Sequence, residues 1–420
     1  MSGLGFCFLT TFYPPYSFGG DAIAVQHLAL GLLDAGHRVT VIHDVDAFAT
    51  LSRAPLPERP IPPAGLEVVS LRNGLGKFSV LLTQQFGRPL VNGPRIARLL
   101  KNGGFDVINF HNVSLIGGPG LLKYGRALKI YMAHEHWLVC PTHVLWRHAR
   151  ELCTKRECFR CQLAYRRPPQ IWRATGFLER QLHHVDAFIA MSEFSRAKHR
   201  EFGFPREMEV LPASIPDADP VSVTQDKRPS QRPYFLFVGR LERFKGLQDV
   251  IPVFADYDDA DLVVAGDGEY GEELRAQAAG LHRVRFLGRV APDDLIRYFR
   301  HAVALIVPSL CFETFGVILL EAFRQSTPVI ARRLGPFPEI IETSGGGELF
   351  ESIDELVASM RQLQRDDAYR NRLGQLGYEA FQKYWRQRVV VPRYLDIVHN
   401  AADRKNGSGS LSRHLSGAAN

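Results

Sequence analysis

Short apolar runs punctuate the chain at Phe6 to Thr10, Val39 to His43, Leu66 to Leu71, Val107 to Phe110, Leu128 to Met132 and Ala187 to Met191. They are too short for helices and lack the strict alternation of a half-exposed strand, so they predict strands. Continuous apolar strands suit a parallel sheet covered on both faces. Helical patterns separate several of them. The first run is followed by a Pro/Gly turn, Tyr13-Pro14-Pro15 to Gly19-Gly20, and then by an amphipathic stretch from Ala22 to Leu33, which together make a βα unit.

The pattern stops over the polar, Pro-rich stretch Pro212 to Pro233 and restarts at Tyr234 to Val238, Leu262 to Ala265, Val284 to Leu287, Ala304 to Val307 and Val329 to Ala331. That break reads as a linker between two α/β domains of like architecture. The expected division is residues 1–215, a linker at 216–233, a second domain at 234–385, a helix at 386–402 packing back on the first domain, and a Gly/Ser-rich disordered tail at 403–420. No tandem repeat points to a solenoid.

A chain of 420 residues with 45% hydrophobic content can bury a core in each domain. No stretch approaches the roughly 18 apolar residues of a membrane span, and Phe6 to Leu9 is too short for a signal-peptide core, so the expected location is the cytoplasm. The formal charge is +7, and 145–173 alone holds eight Arg or Lys against two Glu. Such a patch attracts phosphate-bearing partners or anionic membrane, or is simply a solvated face.

Two segments carry chemistry. In Val238-Gly239-Arg240-Leu241-Glu242-Arg243-Phe244-Lys245-Gly246 a strand gives way to a helix start. There, free backbone N–H groups, a bidentate Arg240 and a point charge on Lys245 suit a diphosphate. In Pro308 to Phe323 a second strand–turn–helix places Glu313 before the helix, where it can face sugar hydroxyls, and Glu321 within it, where a carboxylate can accept both hydroxyls of a ribose. The N–H groups around Phe315 and Gly316 point at anionic oxygens. Taken singly, Lys245 is an exposed base and Glu321 a helical salt-bridge former. Their combination is specific.

Glu313-Thr314-Phe315-Gly316 through Glu321-Ala322, preceded by Gly239-Arg240 and Lys245, resembles the two-glutamate signature of glycosyltransferase family 4. Tyr13-Pro14-Pro15 with Gly19-Gly20, Gly36 to Val41 and Pro328 to Ala331 are similar to other family segments, and the resemblance runs from about Leu4 to Arg388. It implies a GT-B fold of two Rossmann-like domains with a cleft between them, and sugar transfer from a nucleoside diphosphate sugar with retained anomeric configuration and no catalytic metal. By position it assigns Arg240 and Lys245 to the diphosphate, Glu313 to the donor sugar, Glu321 to the ribose, Gly19-Gly20 to a loop near the phosphates, and His111 to the active-site histidine. His134 and His136 are either cleft residues or ordinary strand-end residues, and Asp106 reads as a backbone orienter. The acceptor expected is a glycan or a lipid-linked glycan of cell-surface polysaccharide or glycolipid synthesis. The competing readings are a nucleotide-sugar epimerase and a non-catalytic glycan-binding protein. Nucleic acid is not an expected partner, since the basic segment has no recognised nucleic-acid fold around it.

Cys7 and Cys311 stand alone in apolar surroundings and read as buried thiols. Cys140, Cys153, Cys158 and Cys161 fall in one insertion, 140–173, whose last pair has knuckle spacing. Four thiolates there would complete a structural zinc site, and four reduced unpaired thiols are the alternative. With Trp146, Phe159, Tyr165 and Trp172 among its arginines, the whole insertion is expected to dock as one surface on a membrane or a phosphorylated lipid.

Overall fold

The computed structural model describes residues 3–52, 55–58, 61–217 and 227–407. It contains two compact units, one of Met1–His143, Glu157–Pro216 and Gln387–Asn420, the other of Val144–Arg156 and Asp217–Arg386. The strands of the first run are β1 (Gly5–Leu9), β2 (Arg38–Asp44), β3 (Leu66–Leu71), β4 (Val107–Phe110), β5 (Leu128–Ala133), a hairpin of β6 (Trp146–Arg147) and β7 (Glu151–Leu152), then β8 (Ala187–Ala190) and β9 (Glu209–Val210). In the second run come β10 (Tyr234–Val238), β11 (Asp261–Ala265), β12 (Val284–Gly288), β13 (Ala304–Val307), β14 (Val329–Arg332) and β15 (Gly347–Phe350).

The first unit's sheet has the order β3-β2-β1-β4-β5-β8-β9 and the second unit's the order β12-β11-β10-β13-β14-β15. Every pairing in both is parallel. The chain winds outward from the first strand, then jumps back beside it and winds the other way, which is the doubly wound Rossmann arrangement. β1, β4, β5 and β8 are buried throughout, and so are β11 and β13, as expected for strands covered on both faces.

In the first unit Phe6, Phe8, Val41, Ile108, Phe110 and Ile130 form the sheet's interior. Asp106 accepts the Gly5 N–H at 2.7 Å, tying the start of β1 to the loop before β4, the orienting role read for it. The helix Gln387–Asn406 belongs to this unit although it follows the second unit in sequence. Its Tyr394 is fully buried 6.1 Å from the Phe6 ring, and its Val391 lies where a Cβ on Gly31 would stand, so two helices meet almost backbone to side chain. Lys405 closes its far end on Asp186 at 2.8 Å.

The second unit packs Phe235, Phe237, Leu262, Val264 and Ile306 of its sheet against Val250, Ile251, Phe254, Leu356, Met360 and Leu363 in one core. After the helices Ile353–Arg365 and Asp367–Ala380, a π-turn at Phe381–Trp385 stacks Trp385 on Phe323 at 5.9 Å. Among the described residues no helix is long and apolar enough to cross a membrane.

Three features depart from the sequence reading. β9, β15 and the hairpin were not foreseen, because two-residue strands and a strand led in by Gly345-Gly346-Gly347 carry no apolar run. The insertion 140–173 is not one body. Val144–Arg156 falls in the second unit and Glu157 onward in the first, so its arginines are divided between the two. The four cysteines are divided likewise, with Cys153 in the second unit and the other three in the first. Cys140 Sγ instead lies 3.3 Å from Thr142 Oγ1, and all four remain free thiols. Among the described residues no three His, Cys, Asp or Glu are grouped as metal ligands, which is the arrangement a zinc site requires. Residues 218–226 of the expected linker and 408–420 of the expected tail lie outside the described residues.

The Asp106 bond supplies a test of the first sheet. Asp106→Ala leaves the Gly5 N–H without its charged acceptor and is expected to cost about 1–3 kcal/mol. In scanning calorimetry this should appear as a fall of roughly 2–10 °C in one unfolding transition. An unchanged midpoint would show that the bond is replaced by water.

Candidate functional site

A doubly wound sheet leaves a crevice at the carboxyl ends of the two strands between which the winding reverses, because the loops leaving them run in opposite directions. Those strands are β1 and β4 in the first unit, and β10 and β13 in the second. The residues singled out in the sequence sort onto these four strand ends. Gly19 and Gly20 follow β1 and His111 follows β4, while Gly239, Arg240 and Lys245 follow β10 and Glu313 follows β13.

In the second unit the β10 loop is folded tightly. Gly246 has φ +78°, and a Cβ there would stand 2.0 Å from the Pro308 carbonyl, so only glycine permits this approach of the β10 loop to the end of β13. Leu310 N–H donates to Phe244 C=O at 2.7 Å, joining the same two loops. Lys245 Nζ is thereby held 2.5 Å from Glu313 Oε1, and Ser309 Oγ donates to that same oxygen at 3.1 Å. Arg240 stays 43% exposed, its guanidinium 5.7 Å over the Phe244 ring and 3.9 Å from Glu242.

Phe315 is buried, and Gly316 is the N-cap of the helix Val317–Arg324. No side chain caps that helix start, so its first N–H groups are available to an anion. Glu321, one turn into the helix, is half-buried. Enclosure of its carboxyl pushes the pKa up from 4.5 to about 7, the Arg324 charge opposing the rise.

Sequence reading missed the brace behind these loops. Arg332, ending β14, donates to Pro308 C=O at 3.1 Å and pairs with Asp249 at 2.8 Å. Gly266 at φ +145° leaves no room for a Cβ beside the Gly239 carbonyl, and Leu241 N–H donates to Asp267 C=O at 3.0 Å, so the β11 loop backs the β10 loop. The signal for the second contact was present in Gly266-Asp267-Gly268. Arg332 looked like any strand-end arginine.

In the first unit His111 is buried under Phe8, whose ring lies 4.7 Å away edge-on. Its Nδ1 stands 2.8 Å from His134 Nε2, and its buried Nε2 has no protein partner. Burial lowers both imidazoles, His134 to about 4 and His111 well below the ordinary histidine value with the neighbouring ring adding to the effect. The pair is therefore neutral at pH 7, one ring donating to the other, with one buried nitrogen left for a ligand. Asp21, at the start of the helix Gly20–Asp34, acts electrostatically on His134. His136 is set apart from the pair, its ring 5.2 Å from that of His199.

Two family models match this chain, Glycosyltransferase Family 4 over residues 18–218 and Glycosyl transferases group 1 over residues 222–380. A phosphatidyl-myo-inositol mannosyltransferase of Mycobacterium leprae is 35% identical over 176 residues, 40% of this chain and 46% of that protein, so the chain spans about half the length of that relative. Sucrose-phosphate synthase from Thermosynechococcus elongatus has a similar fold, with a TM-score of 0.71, 19% identity and coverage of 94% of this chain and 98% of that one. So has Anabaena HepE, solved in complex with UDP, with a TM-score of 0.65, 17% identity and coverage of 94% and 100%. The two models match residues 18–218 and 222–380, the greater part of both Rossmann units, and the chain belongs to glycosyltransferase family 4.

Proposed function

We propose that the protein transfers a sugar from a nucleoside diphosphate sugar to a glycan or lipid-linked acceptor, with retention of configuration, in the synthesis of a cell-surface polysaccharide or glycolipid. The observation that carries this reading is the Lys245–Glu313 pair held across the reversal of the second sheet, with Arg240 exposed beside it. The mannosyltransferase relative and the UDP complex of HepE support it.

Chemically, the pair is a placeholder. Both side chains keep about a fifth to a quarter of their surface in water, so parting them costs little, on the order of 1 kcal/mol. A diphosphate offers Lys245 a doubly charged partner and frees Glu313 to accept hydroxyls of the donor sugar. Arg240 grips the phosphates bidentately, and the uncapped N–H groups at Phe315 and Gly316 add to the positive field. As the bond from the anomeric carbon to the diphosphate breaks and that to the acceptor hydroxyl forms, negative charge grows on the leaving diphosphate. Arg240 and Lys245 stabilise it there without having to reorganise. Glu321, once ionised, accepts both ribose hydroxyls. On the first unit, neutral His111 keeps a buried Nε2 without a hydrogen-bond partner, able to accept from or donate to a hydroxyl.

The test is release of nucleoside diphosphate from UDP-, GDP- and ADP-sugars in the presence of acceptor extracts. One donor should be consumed, and Lys245→Ala and Glu313→Ala should each lower kcat by about 10²–10³. Donor turnover without nucleotide release would mean epimerase chemistry instead.

The raised pKa of Glu321 supplies a second test. Folding favours the neutral acid, so ionisation on raising the pH from 4.5 to about 7 lowers the stability of the free protein, with no further loss above. The ribose contact has the opposite dependence, being present only when the carboxylate forms. Nucleotide affinity by calorimetry should rise roughly tenfold between about pH 6 and 8, and Glu321→Gln should remove that rise. A pH-independent affinity in the unaltered protein would contradict the assignment.

A further inference from the structure

The helix Lys77–Phe86 of the first unit is built inside out. The side chains it buries are Ser79, Val80 and Thr83, while Phe78 and Phe86 are 60% and 55% exposed and Leu81 is also exposed. At 100° per residue, Phe78 and Leu81 fall on the face opposite 79, 80 and 83, and Phe86 is exposed as the last residue of the helix, so large apolar side chains point to solvent.

A second apolar group belongs to the same surface. The helix Cys158–Ala164 and the turn Ile171–Thr175 expose Phe159 at 63%, Leu163 at 53% and Ile171 at 69%. These elements are pinned to the first helix. Trp172 Nε1 donates to Gln84 C=O at 2.9 Å, Gln84 Nε2 donates to Pro168 C=O at 2.7 Å, and Gln170 N–H donates to Gln162 Oε1 at 3.0 Å. Among the described residues, eight of the thirteen exposed large hydrophobic ones fall within 75–90 and 159–171. Monomeric proteins rarely gather so many on one face without a partner.

Charge selects the partner. The segments 72–105 and 158–178 contain ten Arg or Lys and no Asp or Glu. Arg173 is turned inward between Trp137 and Trp172, and the other nine are exposed, Lys77, Arg88, Arg160, Arg166 and Arg167 among them. A protein interface of this size normally carries both signs. Large apolar side chains among predominantly basic residues, with Glu157 and Glu179 the flanking carboxylates, match a bilayer with anionic headgroups, where the first enter the acyl boundary and the second meet the phosphates.

We propose that the outer face of the helix Lys77–Phe86, together with the exposed side chains of 159–171, seats the first unit on an anionic membrane surface. The proposal does not depend on the donor reading, since none of these residues lies at a strand end of either reversal. It replaces the whole insertion as the docking element, because the Arg147 and Arg150 hairpin belongs to the other unit.

The test is co-sedimentation of the full chain with equimolar phosphatidylglycerol–phosphatidylcholine vesicles and with phosphatidylcholine alone. Binding to the anionic vesicles, weakened by salt and absent on the neutral ones, is expected. Phe78→Ser with Leu81→Ser and Phe86→Ser should lower the partition coefficient more than about tenfold, and each of Arg160→Gln, Arg166→Gln and Arg167→Gln by about fivefold. All six are exposed, so circular dichroism and nucleotide affinity should be unchanged. Should the triple variant not fold, the arginine set decides alone. No binding by the unaltered protein, or equal binding by the variants, overturns the proposal. A dimer in analytical ultracentrifugation that Phe78→Ser dissolves also overturns it, since the face would then cover a second copy.

Discussion

The second sheet reverses its winding between β10 and β13, and the loops leaving those two neighbouring strands must part to reach opposite faces. Near the strand ends they are nonetheless clamped together. Gly246 lies against the Pro308 carbonyl where no Cβ could fit, Leu310 bonds Phe244, and Arg332 reaches from β14 to hold the same carbonyl from the other side. The position of Lys245 relative to Glu313 follows from these contacts. A basic loop and an acidic loop, far apart in sequence, come to face each other within hydrogen-bond distance. A side chain on Gly246 would separate them.

The first unit uses the same reversal to a different end. There the loop after β4 brings His111 against His134, and enclosure keeps both imidazoles uncharged. At the reversal of the first sheet His111 thus presents a neutral hydrogen-bonding nitrogen, whereas that of the second sheet carries charged groups. The two sheets share one topology, and the residues at their strand ends give them complementary chemistry.

The strands, and the basic and acidic residues that the second reversal gathers, were legible because each rests on local information. A buried parallel strand is a continuous apolar run, and the Gly239 to Gly246 and Glu313 to Glu321 segments carry their residues at short fixed spacings. Asp106 was also read correctly as a backbone orienter, since an aspartate just before a strand commonly bonds a neighbouring N–H. What failed was inference across the insertion. Proximity of Cys140, Cys153, Cys158 and Cys161 along the chain suggested a metal staple, but the hairpin carries Cys153 into the other unit. The local charge count merged arginines that the fold separates for the same reason.

The sequence by itself determined that there are two buried parallel sheets, where their strands lie, and which strand ends bear basic, acidic or imidazole groups, because each of these is set by residues within a few positions of one another. Only the tertiary structure decided that Lys245 meets Glu313, that Arg332 braces them, that His111 pairs with His134, and that the helix Lys77–Phe86 turns its aromatic side outward. Those facts depend on which elements pack together and on which face is covered. Contact between residues far apart in the chain is governed by strand order and close approach, and neither is written in any short window of sequence.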